Sequence, residues 1–169
     1  DDYIGQAKFL RAITHFELLN FFARPYNFSA GASHPGVPYR EVGIDTQAEI
    51  DSEIVLGRNT VAEVYEKVLQ DLDDAESLIT NTSLTKASVN AAIAFKTRVY
   101  LHMRDWDGVI AEGNNLIGEY ALEDSPNGPF LDSYGNSESI FSLTQAGMGF
   151  SSSMISRFIN IGVKSIFSN

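Results

Sequence analysis

NTVAEVYEKVLQDLDDAESLI, residues 59–79, carries a complete helix in its pattern. Thr60 followed by Glu63 is a capping box, in which each side chain satisfies a backbone donor that the first helical turn leaves open. Val61, Val64, Tyr65, Val68, Leu69, Leu72, Ala75 and Ile79 then recur at helical spacing as one unbroken apolar stripe. Glu63–Lys67 and Lys67–Asp71 lie four residues apart on the opposite face, each pair worth about 0.2–0.5 kcal/mol. The run DLDDAE (71–76) reads as that solvated face.

Upstream, AKFLRAITHFELLNFFARPYN (7–27) predicts a helix from about Tyr3 to Phe22. Phe9, Ala12, Ile13, Phe16 and Leu19 share one face. Leu10, Leu18, Phe21 and Phe22 carry the apolar surface further round, and Lys8, Arg11 and His15 make a narrower polar stripe. A helix this apolar is normally sandwiched by neighbours. Pro25 disfavours helical geometry at Arg24 and ends it. Residues 23–58 hold Pro25, Pro35 and Pro38 and glycines 31, 36, 43 and 57, with no sustained period. Connections this long are functional or disordered. Tyr26, Phe28 and Tyr39 argue against disorder, which predicts an ordered surface loop.

Downstream, a helix over about Val89 to Met103 is rich in small residues (Ala91, Ala92, Ala94, Thr97). A further helix, about Trp106 to Ile117, places Trp106, Val109, Ile110, Gly113, Leu116 and Ile117 at helical spacing. With only Arg104 and Asp105 between them, the two form an antiparallel hairpin. The expected core unites Leu69, Leu72, Phe95, Val99 and Trp106, so that Trp106→Ala would cost about 3–5 kcal/mol. After Gly118, Pro126 to Pro129 mark a turn, and Ser139 to Thr144, around Ile140, Phe141 and Leu143, is a short strand candidate. Gly147, Gly149 and Ser151 to Ser153 form a flexible link to an apolar tail, Met154 to Asn169.

Composition excludes several functions. The net charge of −10 works against long-range attraction to nucleic acid or an anionic membrane surface. The absence of cysteine removes disulfides, thiol nucleophiles and thiolate metal sites. No run approaches the roughly 20 apolar residues of a membrane-spanning helix. The three histidines, at 15, 34 and 102, are far apart, and His15 and His102 read as structural. No HExxH, GxSxG, P-loop or GxGxxG occurs. Glu123, Asp124 and Asp132 lack the ligand spacing of a calcium loop. The residues thus predict no catalytic centre, no metal and no cofactor.

Taken in order, the aromatic helix of 7–27, the proline-bearing loop and the acidic helix of 59–79 resemble the SusD/RagB-like nutrient-binding lipoproteins of the outer membrane in Bacteroidetes-type bacteria. AAIAFKTRVYLHMRDWDGVIAEGNNLI (91–117) and ESIFSLTQ (138–145) extend the resemblance from about Ala7 to Gln145. The hairpin also resembles a tetratricopeptide repeat, with Tyr100 six residues before Trp106 and Leu116 ten after it. Val109 departs from that repeat's alanine, and no terminal proline follows. The resemblance implies an all-α fold: tetratricopeptide-like helical hairpins with long loops and one short β element. Residues 1–169 form a single domain, divided into the 23–58 loop, the 60–118 helical repeat core and the 119–169 loop, strand and tail.

The same resemblance implies non-catalytic capture of an oligosaccharide or other nutrient at the bacterial surface. The implied partner is a SusC-like TonB-dependent transporter, in an outward-facing position on the outer membrane. Membrane attachment would be through an N-terminal lipid anchor absent from this chain. A tetratricopeptide adaptor for protein segments is the alternative, disfavoured by a loop of this length and aromatic content. Sugar sites combine aromatic faces with planar polar groups on loops carried by a scaffold. Tyr26, Asn27, His34 and Tyr39 are the ligand-facing candidates. Trp106, at a helix start in the repeat, is assigned to the core.

The chain, which starts at Asp1 without Met, reads as an internal piece of such a protein, with family members continuing past Asn169. Helix one and the 154–169 tail are more apolar than a monomer's surface tolerates. Both are expected to bury against the rest of a parent protein or, in this piece alone, through self-association. Light scattering across a concentration series is expected to show association. A stable micromolar monomer whose tail resists protease would overturn that expectation.

Overall fold

The stripe of 61–79 becomes the central helix, and its flanks determine what packs on either side. The computed structural model describes residues 1–53, 57–126 and 136–142. Helix α1 is Asp2–Phe22, α2 Gln47–Glu53, α3 Val61–Leu78, α4 Val89–Met103 and α5 Trp106–Asn114, with 3-10 turns at Tyr26–Phe28 and Ala30–Ala32. The described residues contain no strand, only an isolated antiparallel bridge between Pro35 and Thr60. The fold is all-α, as the sequence predicts.

The starts of α3, α4 and α5 each have a local cause. Thr60 accepts a hydrogen bond from the Glu63 N–H, and Glu63 accepts from the Thr60 N–H at 2.8 Å, completing the capping box. Ser88 caps α4 through the Ala91 N–H, and Asp105 caps α5 through the Gly108 N–H. Arg104 adopts a left-handed conformation (φ 61°) that reverses the chain between α4 and α5. α5 stops at Asn114 rather than Ile117, because the Asn115 and Leu116 N–H groups turn to carbonyls three residues back.

Phe9, Ala12, Phe16 and Leu19 of α1 interlock with Val61, Val64, Tyr65, Val68, Leu72 and Ala75 of α3. Val99 and the small residues Ala91 and Ala92 of α4 close the same core. Leu69 and Phe95 pack against it half-buried. Trp106 does not join them. It is 58% exposed, which corrects its assignment to the core. The reason lies at Gly108, where a Cβ would stand 2.7 Å from the Tyr100 ring. α5 therefore seats on α4 through Gly108, and Trp106, two residues earlier, falls on the opposite side of a helix that advances 100° per residue.

DLDDAE is a solvated face only in part, at Asp73, Asp74 and Glu76. Leu72 and Ala75 enter the core, and the acidic residues flank them on both sides. On one flank Asp71, its side chain 4% exposed, receives a bidentate pair from Arg11 Nε and Nη2, each at 2.6 Å. The Tyr39 hydroxyl donates to the same carboxylate at 2.7 Å, and Lys8 pairs with neighbouring Asp74. On the other flank Lys96 of α4, 6% exposed, reaches Asp73 at 3.1 Å, Glu112 of α5 at 3.0 Å, and Glu76. The expected i,i+4 pairs give way to these longer-range ones. Lys67 bonds Glu41 at 2.6 Å instead of Asp71, and Glu63 is committed to its cap.

The long connection is stitched to the start of α3. The Gly36 N–H donates to the Asn59 carbonyl at 2.7 Å, and the Val61 N–H donates to the His34 carbonyl at 3.0 Å. A Cβ at Gly36 would meet the Asn59 carbonyl and Leu19 at 3.0 and 3.1 Å, so a side chain there would require the start of α3 to give way by a few tenths of an ångström. Ala32, Val37 and Tyr39 are buried, whereas 41–50 are exposed. The connection is ordered where it is stitched, and it contains α2 as well, which its lack of periodicity does not predict. Of the strand candidate, Ser139–Ser142 is irregular backbone. Phe141 sets its ring edge-on to Phe9 at 5.6 Å, and the Ser142 N–H bonds the Leu84 carbonyl. Leu143, Thr144 and the 154–169 tail lie outside the described residues.

Burial alone would raise the Asp71 carboxyl, but hydrogen bonds from Arg11 and Tyr39 outweigh it and hold the carboxyl below its ordinary value of 3.8. A carboxylate depressed in the folded state stabilises the fold above its unfolded value and loses that contribution as pH falls through the folded one. Asp71→Ala is expected to cost about 2–4 kcal/mol at neutral pH in urea denaturation. That cost should shrink below about pH 4 as the wild-type carboxylate protonates. An equal cost at pH 7 and pH 3 would show that the charge is not what Arg11 and Tyr39 hold.

Candidate functional site

Antiparallel packing brings the ends of α1 and α4 and the starts of α3 and α5 to one end of the helical array, and the chain after Pro25 is laid across that end. Tyr26 is half-buried, its ring edge-on to Tyr65 at 4.8 Å. Asn27 is exposed, and its amide donates to the Met103 carbonyl at the end of α4 at 3.3 Å. His34 lies beside them, with Nδ1 2.8 Å from the Ser29 hydroxyl and Nε2 3.1 Å from the Arg24 carbonyl. The exposed Phe28 ring packs between His34, at 5.2 Å, and the Arg24 guanidinium, at 5.3 Å. Trp106, two residues past the turn that ends α4, is exposed at this same end.

The structure thus brings Tyr26, Asn27 and His34 together and leaves Tyr39 apart from them. Tyr39 is 5% exposed. His15 stacks on its ring at 4.0 Å, Arg11 and Lys67 lie within 6 Å of it, and its hydroxyl is held by Asp71. Burial, then the Asp71 carboxylate, push that hydroxyl well above the usual tyrosine range. No face of Tyr39 is left for a sugar, so its part is to anchor the connection. His15 is structural too, with Nδ1 2.9 Å from the Arg11 carbonyl and Nε2 accepting from the Arg40 N–H at 3.2 Å. Those bonds suit the neutral Nδ1–H tautomer.

Between the last turns of α1 and α4 lies a cleft of about 410 Å³ lined by Glu17, Asn20, Arg24, Tyr26, Tyr65, Arg98 and His102. Arg98 pairs with Glu17 at 3.0 Å and lies 5.6 Å from the Phe16 and Phe95 ring centroids. The edge of His102 meets Phe16 at 4.9 Å. Sequence reading missed this wall, although Arg98–His102 has the i,i+4 spacing that puts two polar groups on one helical edge. A second cleft, about 460 Å³, lies over Lys8, Arg11, Tyr39, Lys67 and Asp71, groups occupied with one another. A third, about 510 Å³, is formed by Leu18, Phe22, Val37 and Pro38 with Arg40 and Arg58.

Among the described residues, no group of three His, Cys, Asp or Glu is placed to hold a metal ion. Glu123 accepts from the Ser137 N–H and hydroxyl, and Asp132 lies outside the described residues. No described helix is long and apolar enough to cross a membrane.

Over residues 1–101 the sequence matches the SusD-like family described as starch-binding, associating with outer membrane. The chain belongs to that family. SusD-like protein P2 of Formosa agariphila is 27% identical over 122 residues, 71% of this chain and 21% of that protein. A SusD superfamily protein of Bacteroides thetaiotaomicron superposes with a TM-score of 0.69 at 30% identity, over 82% of this chain and 30% of its own. One from Bacteroides fragilis gives 0.68 at 33% identity, over 85% and 33%. This SusD-like chain therefore spans a fifth to a third of these relatives. The family resemblance read from residues 7–145 is confirmed.

Exposure of Trp106 reverses the expected outcome of its removal. Trp106→Ala is expected to shift stability by no more than about 0.5 kcal/mol, as for a surface substitution, measured as the urea midpoint. A loss near 3 kcal/mol would return the indole to the core.

Proposed function

We propose that this SusD-like chain is the helical part of a non-catalytic glycan-capture protein on the outer face of the outer membrane. A lipid anchor outside this chain would hold it there, and its ligand would pass to a SusC-like TonB-dependent transporter. The family match over residues 1–101 carries this reading. The structure adds a rigid scaffold with aromatic and planar polar groups gathered at one end, the inventory that sugar recognition needs. Tyr26, Asn27 and His34 are the ligand-facing residues of the 23–58 connection. Tyr39, held by Asp71, anchors the far part of the connection, and Trp106 supplies an exposed aromatic face at the same end of the helices. The Asn27 amide and the His34 ring are held by bonds to the Met103 and Arg24 carbonyls, so little freedom would be lost on binding.

The triple variant Tyr26→Ala, Asn27→Ala, His34→Ala tests the placement by affinity electrophoresis in gels containing starch, xylan or mannan. The glycan that retards the wild type is expected to bind the triple variant at least about tenfold more weakly, the equivalent of one or two lost hydrogen bonds. Undiminished retardation would put the site on another surface.

A further inference from the structure

Tyr65 is a polar exception in the α1–α3 core. Its residue surface is 3% exposed, with Phe16 edge-on at 6.0 Å and Tyr26 at 4.8 Å. Among the described residues its hydroxyl has no hydrogen-bond partner. Burial, and then the neighbouring Tyr26 hydroxyl, push it up to about 12. Buried phenols are almost always bonded, because an unmade bond forfeits the water left behind. Tyr65 also lines the cleft of about 410 Å³ between the ends of α1 and α4, a volume within the roughly 300–1,000 Å³ of small-molecule sites.

The rest of that wall says what could satisfy the phenol. The Asn20 amide is exposed at the rim and has no partner among the described residues. Arg24 and Arg98 offer only donors and Glu17 only acceptors. Donors and acceptors therefore share one wall, which suits a ligand whose groups both give and take hydrogen bonds. Arg98 is already paired with Glu17 at 3.0 Å and Arg24 lies over the Phe28 ring, and the negative dipole ends of α1 and α4 finish here, so little positive charge is left for an anion. A purely apolar ligand would leave Tyr65 unpaired.

We propose that this cleft is a subsite for one neutral pyranose residue of a glycan, with a ring hydroxyl bonded to the Tyr65 hydroxyl and the Asn20 amide and Arg98 guanidinium closing on its neighbours. The proposal rests on the glycan-capture reading and adds to it a subsite floored by the helical scaffold rather than by the 23–58 connection alone. Tyr65→Phe removes a single oxygen and keeps the ring that packs on Phe16.

The test is isothermal titration of the wild type, Tyr65→Phe and Asn20→Ala with maltoheptaose, xylohexaose and mannohexaose, each up to millimolar concentration, alongside thermal midpoints. The wild type is expected to bind at least one of them, and Tyr65→Phe to weaken that binding by about tenfold or more with an equal or higher midpoint. Should Tyr65→Phe fail to fold, the same loss is read in Asn20→Ala, whose side chain is exposed. Wild-type affinity retained in Tyr65→Phe overturns the subsite and leaves the glycan reading standing; a lowered midpoint alongside it would assign the phenol to an ordered water. If the wild type binds none of the three sugars, both readings fall together.

Discussion

The Asp71 carboxylate is the point on which the arrangement of the chain depends. It is drawn out of water beside the core and remains charged because Arg11 meets both its oxygens and Tyr39 adds a third bond. A buried charge is tolerable only when its lone pairs are filled, so α1, α3 and the 35–41 segment must be placed together or not at all. Hydrophobic burial along α1 and α3 supplies most of the attraction, but it is non-directional. The bidentate pair selects one rotation of α1 about its axis and one register along α3.

Lys96 does the same on the other flank. One ammonium group, nearly excluded from solvent, joins Asp73 and Glu76 of α3 to Glu112 of α5. Burial works against its charge, and the surrounding carboxylates outweigh burial and raise its affinity for the proton. α5 buries no residue of its own, so this ion cluster and the Gly108–Tyr100 contact are what fasten it to α4. A helix held at one edge leaves its other face, with Trp106 and Ile110, open.

The Asp71 joint also helps to place the candidate site. Tyr39 tied to Asp71 and Gly36 tied to Asn59 fix the far side of the connection, and Pro25 fixes the near side. Residues 26–34 must then cross the ends of α1 and α4, which is where Tyr26, Asn27, His34 and the Tyr65 cleft meet. In this SusD-like chain the proposed binding surface would thus be a by-product of how the helices are locked, held by the same bonds that hold the core.

The positions of α1, α3 and α4 and the start of α5 were legible because they depend on local chemistry, whereas α2 was not. The Thr60–Glu63 box, the apolar stripe of 61–79 and the two-residue Arg104–Asp105 turn each act within a few residues, and Val89–Met103 begins and ends where its pattern says. The family, too, could be recognised from ordered segments of sequence. Which charge meets which was not legible. Asp71 looks like any exposed helical aspartate until α1 is docked, although Lys8–Arg11 and Asp71–Asp74 share a spacing of three that hints at two matching edges. Tyr39 has the composition of a binding residue and the location of an anchor, while Trp106 has the repeat position of a core residue and the exposure of a surface one. Their environments are made by residues some 30 positions distant or by the rotation of a neighbouring helix. Periodicity along the chain decides that a residue lies on a helix and on which side, but burial and pairing belong to the packed assembly, and only the tertiary structure decided them.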